Sequence, residues 1–338
     1  MKLSILIPLY NAEKHILRCL NSLVYQGLKE DQYEILLLDD GSKDDSFQVT
    51  NEFAKAHTNI IVKQQQNQGA YPTRTNLLEM AKGTYIYFVD ADDYLTPNSL
   101  GGLLEKMEDK NLDMLGFAST VATPEKKVIP LEDSDKILDP VTDGYSFLIN
   151  YRYRNEIWWY IIKKEFLKST GLVFHNNKML EDVRFTMELL LKAKRISFLP
   201  LKVHHYFEHE NSLLHTTNPT HFNNSIIEFR RTIREFTPII RDLDRDNSKY
   251  NLLHDKLKAR QESFTFFMII RYFKSNQSFK DLKVALKEAK EHKAYPFTYF
   301  PNHEYQANTY KILTIVFNNS LLLYSSFQSF RLFKKVKG

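Results

Sequence analysis

Over the first 118 residues, apolar β-forming runs alternate with helical patterns, and this constrains the fold more than any other feature of the chain. Neighbouring strands that each need a helix between them run parallel, because a parallel return requires a crossover. Lys2–Leu9 is the first such run, with Ile5, Leu6 and Ile7 continuous. Asn11 is placed to cap a helix with Glu13 in its first turn and Ile16, Leu17, Leu20, Leu23 and Val24 on one apolar face. Tyr33–Leu38 is the second strand and ends at Asp39-Asp40-Gly41-Ser42. Ser42 with Asp45 resembles a capping box before a helix through Phe47, Phe53 and Ala54. Ile60–Lys63 is a short third strand; Asn67-Gln68-Gly69 is a turn, and Pro72 suits the first turn of a helix reaching Ala81. Tyr85–Val89 is the fourth strand. Thr96 and Pro97 open a helix carrying Leu100, Leu103, Leu104 and Met107, and Leu112–Ala118 is the fifth strand. The pattern predicts an α/β fold: a doubly wound, mostly parallel sheet flanked by helices.

Beyond residue 118 the pattern is looser. Thr123–Asp143 is rich in Pro, Lys, Glu and Asp and reads as a surface excursion. Glu181-Asp182 open a helical pattern that runs through Leu191 and closes on Lys192, Lys194 and Arg195, as the helix dipole prefers. Ile196–Tyr206 is a strand signal leading into His204, His205 and His209. From about Asn218 the chain is helical, aromatic and basic. The expected organisation is an α/β domain over 1–215, divisible into 1–118 and 119–215, followed by a mainly helical extension over 216–338.

Composition removes several classes. The 46 basic residues exceed the 41 acidic ones by only five, far from the basic stripe of a nucleic-acid binder. A single cysteine, Cys19, excludes an internal disulfide framework and fits a reducing compartment. No apolar core followed by a small-residue cleavage site opens the chain, and no stretch of 18 residues is continuously apolar. The expected setting is cytoplasmic.

Four groups of residues can carry chemistry. The sharpest is Asp90-Ala91-Asp92-Asp93, delivered by the fourth strand. Crowded carboxylates repel one another unless a cation sits among them, and oxygen ligands suit Mg²⁺ or Mn²⁺, whose second partner is commonly phosphate. Ligands of open α/β sheets bind beyond the carboxyl ends of the strands, where this loop falls. The competing reading is a polar loop in which Asp93 or Thr96 caps the next helix. Asp39-Asp40 lie at the same sheet edge; a carboxylate there can accept from the N3–H of uracil, or the pair is merely solvated beside a capping Ser42. Gln66–Asn76 contains Gly69 and Arg74, a glycine turn entering a helix, which leaves backbone N–H groups for an anion and adds a guanidinium. Glu181-Asp182 read equally as first-turn carboxylates or as a catalytic base. Adjacent histidines on a strand point to opposite faces, so at most one of His204 and His205 faces a site, while His209 in the following loop is a candidate metal contact.

Taken in order, SILIPLYN, LLLDDGSKDDS, NQGAYPTR and AKGTYIYFVDADDYLTPNSL resemble the inverting glycosyltransferases of family two, with the GT-A fold. The likeness continues through IWWYIIKKEFL, LEDVRF and HHYFEHENSL and fades after Leu214. It implies a nucleotide-binding half over 1–118 and an acceptor-binding half over 119–215. Pro8 and Tyr10 would border the base, and Asp40, with Asp39, would read uracil. Arg74 would lie near the diphosphate. Asp90 and Asp92 match the D-x-D motif, Asp92 as direct metal ligand and Asp90 or Asp93 against ribose or donor sugar. Asp182 matches the general base, and His209 a loop that adds a metal or phosphate contact in some members. The implied reaction is a single displacement that inverts the sugar. It needs Mn²⁺ or Mg²⁺, a UDP-sugar donor and a hydroxyl of a saccharide or lipid-linked saccharide, as in making a bacterial surface polysaccharide. Two departures stand out: Thr75-Asn76-Leu77-Leu78 with Pro72 in the diphosphate loop, and Trp159 where a polar residue is usual.

Other classes remain for comparison. A nucleotidyltransferase that builds nucleotide-sugars also uses metal-binding aspartates, but opens with a glycine-rich loop where this chain has Pro8-Leu9-Tyr10-Asn11. A non-catalytic nucleotide- or sugar-binding module would not need Asp90, Asp92 and Asp182 together. A dehydrogenase would show G-x-G-x-x-G after the first strand. The C-terminal stretch holds Phe264, Phe266, Phe267 and Phe273, then Ile312–Phe317 and Leu321–Tyr324, and ends in FQSFRLFKKVKG. It reads either as a peripheral contact with the inner face of a membrane through Arg331, Lys334, Lys335 and Lys337, or as a helical cap or dimer face. No short motif marks the donor sugar, the acceptor or the oligomeric state.

Overall fold

The computed structural model describes residues 1–122, 140–175, 180–208, 219–243, 247–300 and 307–337. The chain divides into two compact units, 1–147 with 151–212, and 148–150 with 213–338.

The first unit is built on one eight-stranded sheet in the order β3-β2-β1-β4-β7-β6-β8-β5. Its strands are β1 (Leu3–Leu9), β2 (Tyr33–Asp39), β3 (Ile60–Gln64), β4 (Tyr85–Phe88), β5 (Tyr94–Leu95), β6 (Met114–Ala122), β7 (Tyr160–Lys163) and β8 (Ile196–Phe207). β1 pairs in parallel with β2 and β4, and β2 with β3. This parallel half is the one the alternating sequence predicts, and every residue of β2 and β4 is buried, as a sheet covered on both faces requires. Beyond β4 the sheet is mixed: β7 is antiparallel to β4 and β6, β8 is parallel to β6, and β5 is antiparallel to β8. The parallel pairing puts the carboxyl ends of β1, β2, β3 and β4 along one edge.

The flanking helices are α1 (Ile16–Leu23), α2 (Ser46–Ala54), α3 (Ala70–Met80), α4 (Leu100–Asp109), α5 (Gly144–Asn150), α6 (Lys164–Thr170) and α7 (Glu181–Lys192). Three boundaries differ from the sequence reading, and each has a local cause. Asn11 does not cap α1: its φ is +48°, its Oδ1 accepts from the Lys43 amide, and the helix starts only at Ile16. Ser42 forms no capping box, because its hydroxyl accepts from the Asn11 amide instead. Thr96 and Pro97 precede α4, since the Thr96 amide and hydroxyl donate to Val203 and Lys202 carbonyls on β8. Of the expected α1 face, Leu17 points outward, while Cys19 takes the buried place. Trp159, where a polar residue is usual, is accommodated by packing. It is 3% exposed, donates from Nε1 to the Arg154 carbonyl, and fills the space over Gly116, where an added Cβ would come within 2.6 Å of its ring. It is a core residue.

The second unit contains α8 (Pro219–Arg241), α9 (Tyr250–Lys274), α10 (Phe279–Glu291), α11 (Asn308–Asn318) and α12 (Ser320–Lys337). Its centre is aromatic: Phe266 lies 4.6 Å from Phe300 and 5.2 Å from Phe317, centroid to centroid. The carboxylate of the buried Glu262 on α9 accepts from the amides of Thr298, Tyr299 and Phe300 and so ties a distant turn to that helix. No described helix is long and apolar enough to cross a membrane.

Candidate active site

A cleft of about 680 Å³ opens at the carboxyl edge of the parallel strands. Pro8 to His15 line it at the end of β1 and beyond, Asp40 and Asp44 after β2, Asn67, Gly69, Ala70, Thr73 and Arg74 after β3 and on α3, and Asp90 to Asp92 after β4. Of the residues expected from sequence, the cleft gathers Pro8, Tyr10, Asp40, Arg74, Asp90 and Asp92. Asp39 does not line it. That residue is fully buried, with its Oδ2 accepting from the Ser42 amide and from Gln64 Nε2. His209 lies outside the described residues, as does most of the Thr123–Asp143 excursion.

Arg74 is the hub. Its Nη2 stands 2.8 Å from Asp90 Oδ1 and its Nη1 3.5 Å from Asp182 Oδ1. Its side chain is 8% exposed, against 34% for Asp90 and 19% for Asp182. Burial alone would weaken the guanidinium's hold on its proton; Asp182, Asp90 and Tyr71 outweigh that and raise its pKa. Asp182 sits in the first turn of α7, after Leu180 in the left-handed conformation (φ +61°). Its carboxyl is raised to about 6: burial is the largest cause, Arg74 opposes it, and Asp90, Glu156 and Glu181 add to it. A carboxylate so placed can take a proton near neutral pH. Its neighbour Glu181 is structural, pairing with Arg184 and accepting from the His175 amide.

The glycine turn holds a correction. The amides of Gln68 and Gly69, which the sequence left for an outside anion, donate to the two oxygens of Asp40 at 2.8 and 2.7 Å. Gln65 Nε2 also donates to that carboxylate, and Asn67 Nδ2 to the Asp40 carbonyl. Gly69 adopts φ +94°, a conformation side chains resist, which lets its amide turn back toward Asp40. The protein's own carboxylate occupies the nest, and Arg74 carries the positive charge of this wall.

The acidic loop is fixed from three sides. The Phe207 amide donates to Asp93 Oδ1, and His204 Nε2 lies 3.0 Å from Asp93 Oδ2, both groups being fully buried. Burial lowers the His204 pKa to about 3 and, with Asp90 and Asp92 adding to it, raises that of Asp93 well above the usual carboxylate range. Asp93 therefore turns away from the cleft, and its expected contact with ribose or donor sugar is set aside. His204 stacks on Trp158 at 4.2 Å, while His205 lies between the Thr96 and Thr120 hydroxyls. The two point to opposite faces, and neither lines the cleft. Third, Arg18 of α1 donates from Nη2 to the Asp92 carbonyl at 2.7 Å and rests 3.4 Å from the Phe207 ring centroid.

Arg18 and Tyr71 escaped the sequence reading. Tyr71 places its ring 5.3 Å from the Arg74 guanidinium. Tyr71 stands inside NQGAYPTR and Arg18 seven residues beyond SILIPLYN, but no local period signals that Arg18 has a partner 74 positions away.

The donor set fits a hard divalent cation. Asp90 and Asp92 offer carboxylate oxygens at one rim of the cleft, and among the described residues no cluster of three or more His, Cys, Asp or Glu forms a closed cage. One or two carboxylates with water and substrate phosphate is the usual arrangement for Mg²⁺.

Comparison with known proteins gives the same picture. Residues 4–174 match the sequence model described as glycosyl transferase family 2. The chain is 30% identical over 215 residues to EpsJ, an uncharacterized glycosyltransferase of Bacillus subtilis (strain 168), covering 62% of each chain. It is 32% identical over 204 residues to a poly(ribitol-phosphate) beta-glucosyltransferase of Bacillus spizizenii, covering 58% of this chain and 31% of that one. The match thus spans less than two thirds of either relative's length. The fold resembles S. aureus TarS 1–349 in complex with UDP-GlcNAc, with a TM-score of 0.56, 18% identity and coverage of 86% and 92% of the two chains. It also resembles the mannosyltransferase PcManGT of Pyrobaculum calidifontis in complex with GDP-Man and Mn²⁺, with a TM-score of 0.55, 14% identity and coverage of 99% and 86%. At these identities the structural likeness is one of fold. A sheet edge carrying this cleft, and a family match over half the chain, lead to one statement: the protein belongs to glycosyltransferase family 2.

Proposed function

We propose that the enzyme transfers a sugar from a UDP-sugar to a hydroxyl of a saccharide or lipid-linked saccharide, with inversion and with help from Mn²⁺ or Mg²⁺. The observation that carries this is Arg74 bridging Asp90 and Asp182, which draws charged residues 16 and 108 positions from it into one cluster beside the cleft. The UDP and UDP-GlcNAc complexes of TarS support a nucleotide-sugar donor. Pro8 and Tyr10 border the base, Asp40 holds the loop against which it packs, and Arg74 faces the diphosphate. Asp92 and Asp90 would hold the cation, which when bound supplies positive charge against the departing diphosphate. Asp182 takes the proton of the acceptor hydroxyl as its oxygen attacks the anomeric carbon from the side opposite the leaving group. Residues 1–118 then serve the nucleotide, and 119–215 the acceptor.

The test is UDP release from a panel of UDP-sugars, with Mn²⁺, Mg²⁺ or EDTA, for the wild type and Asp92→Ala. Release that depends on a divalent cation and falls at least a hundredfold in the variant is expected. Undiminished release in EDTA would remove the cation from the reaction, and silence across UDP-, GDP- and dTDP-sugars alike would remove the reading altogether.

A further inference from the structure

We propose that α11 and α12 form a surface that seats the protein on an anionic lipid bilayer. The inner sides of these helices are packed: Phe317, Leu323 and Phe327 are buried, and Phe327 meets Phe273 at 5.2 Å and Phe279 at 5.4 Å. Their outer sides carry large apolar side chains interleaved with small or uncharged polar ones such as Ser325, Gln328 and Ser329, where solvent-facing helices are usually charged and polar. Leu321 is 76% exposed, Ile315 66% and Leu332 65%, and Ile312, Leu322 and Tyr324 are exposed beside them. Exposed apolar side chains concentrated on consecutive helices mark a surface that something covers.

Charge selects the occupant. From Tyr305 to the end of the sequence there is no Asp or Glu, but there are Lys311, Arg331, Lys334, Lys335 and Lys337. Arg331 donates to the Tyr272 and Gln277 carbonyls, so it anchors α12, while Lys311 is exposed among the apolar side chains. A second copy meeting these helices about a two-fold axis would bring one acid-free, basic segment against another, with no carboxylate to answer Lys311. An anionic leaflet pairs with them, at about fivefold in partitioning per basic residue near the surface. The helices are too short and polar to span a bilayer, but their leucine, isoleucine and aromatic content with interspersed lysine suits lying in its interface.

Vesicle co-sedimentation of the full chain tests this, comparing phosphatidylcholine with phosphatidylcholine containing about one third phosphatidylglycerol. Binding to the anionic vesicles alone is expected, weakening as salt rises from about 0.1 to 0.5 M. The triple variant Ile315→Gln/Leu321→Gln/Leu332→Gln replaces exposed side chains with a good helix former and should bind at least tenfold less with unchanged circular dichroism. Equal binding to both vesicle types, or to neither, overturns the proposal. So does a triple variant that binds like the wild type, or a dimer in sedimentation velocity that only the triple variant dissolves. The salt series on the wild type decides the matter even if the triple variant misfolds, and none of these readouts depends on UDP-sugar turnover.

Discussion

On the proposed mechanism, Asp182 and Arg74 set the pH behaviour. With its carboxyl raised to about 6, Asp182 is ionised above that pH and protonated below it, so turnover should fall about tenfold per pH unit on the acid side. Asp182→Asn should cost about 10² to 10⁴ in turnover while leaving UDP affinity intact, measured by steady-state rates and calorimetry. In Arg74→Met the attraction that lowers the Asp182 pKa is lost, so the acid limb of the pH–rate profile should move to higher pH; an unmoved limb would assign it to another group. Single residues were legible to the extent that their role is announced by position. Asp90, Asp92 and Asp40 stand at strand ends, and the sheet's directionality alone brings them to one edge. The partners of Asp40 were not legible, because a glycine turn with free amides and one whose amides close on a carboxylate read identically. Asp93 was misplaced for a similar reason: the histidine beside it comes from a strand 111 residues later.

Among the elements, the acidic loop between β4 and β5 shows how a short segment is held. β5 has only two residues, yet it pairs with His204 and His205 on β8, and the Thr96 amide extends the ladder to Val203. α1 adds Arg18 from beneath. Arg18→Met keeps the stem but removes the bond to the Asp92 carbonyl and the contact with Phe207. A loss of about 2 kcal/mol in unfolding free energy is expected, with weakened cation-assisted UDP binding, whereas Arg18→Lys should recover part of both. Denaturant melts and calorimetry check the pair. Strand and helix existence followed from apolar period across β1 to β4, since buried parallel strands leave continuous runs. Helix starts did not, because Asn11, Ser42 and Thr96 are all good caps whose side chains or amides are claimed by more distant partners.

At the scale of the molecule, the cleft belongs to the first unit and the apolar helices to the second. Ile315→Gln/Leu321→Gln/Leu332→Gln should therefore leave UDP release with a water-soluble acceptor within about twofold of the wild type, assayed without vesicles, since none of the three residues lines the cleft and surface substitutions usually change stability little. The mixed half of the sheet could not be read in advance: β6, β7 and β8 interleave out of sequence order, and their register shifts between Phe117 and Ser119. The excess of five positive charges over the whole chain also hides a local inversion, for the cleft walls carry Asp40, Asp44, Asp90 and Asp92. The bonds from Gln68 and Gly69 to Asp40 then have a consequence for what this enzyme can recognise. Two amides that could have met a phosphoryl oxygen are spent on the protein's own carboxylate, so an anion reaching this wall of the cleft would meet the Arg74 guanidinium rather than that pair of main-chain donors.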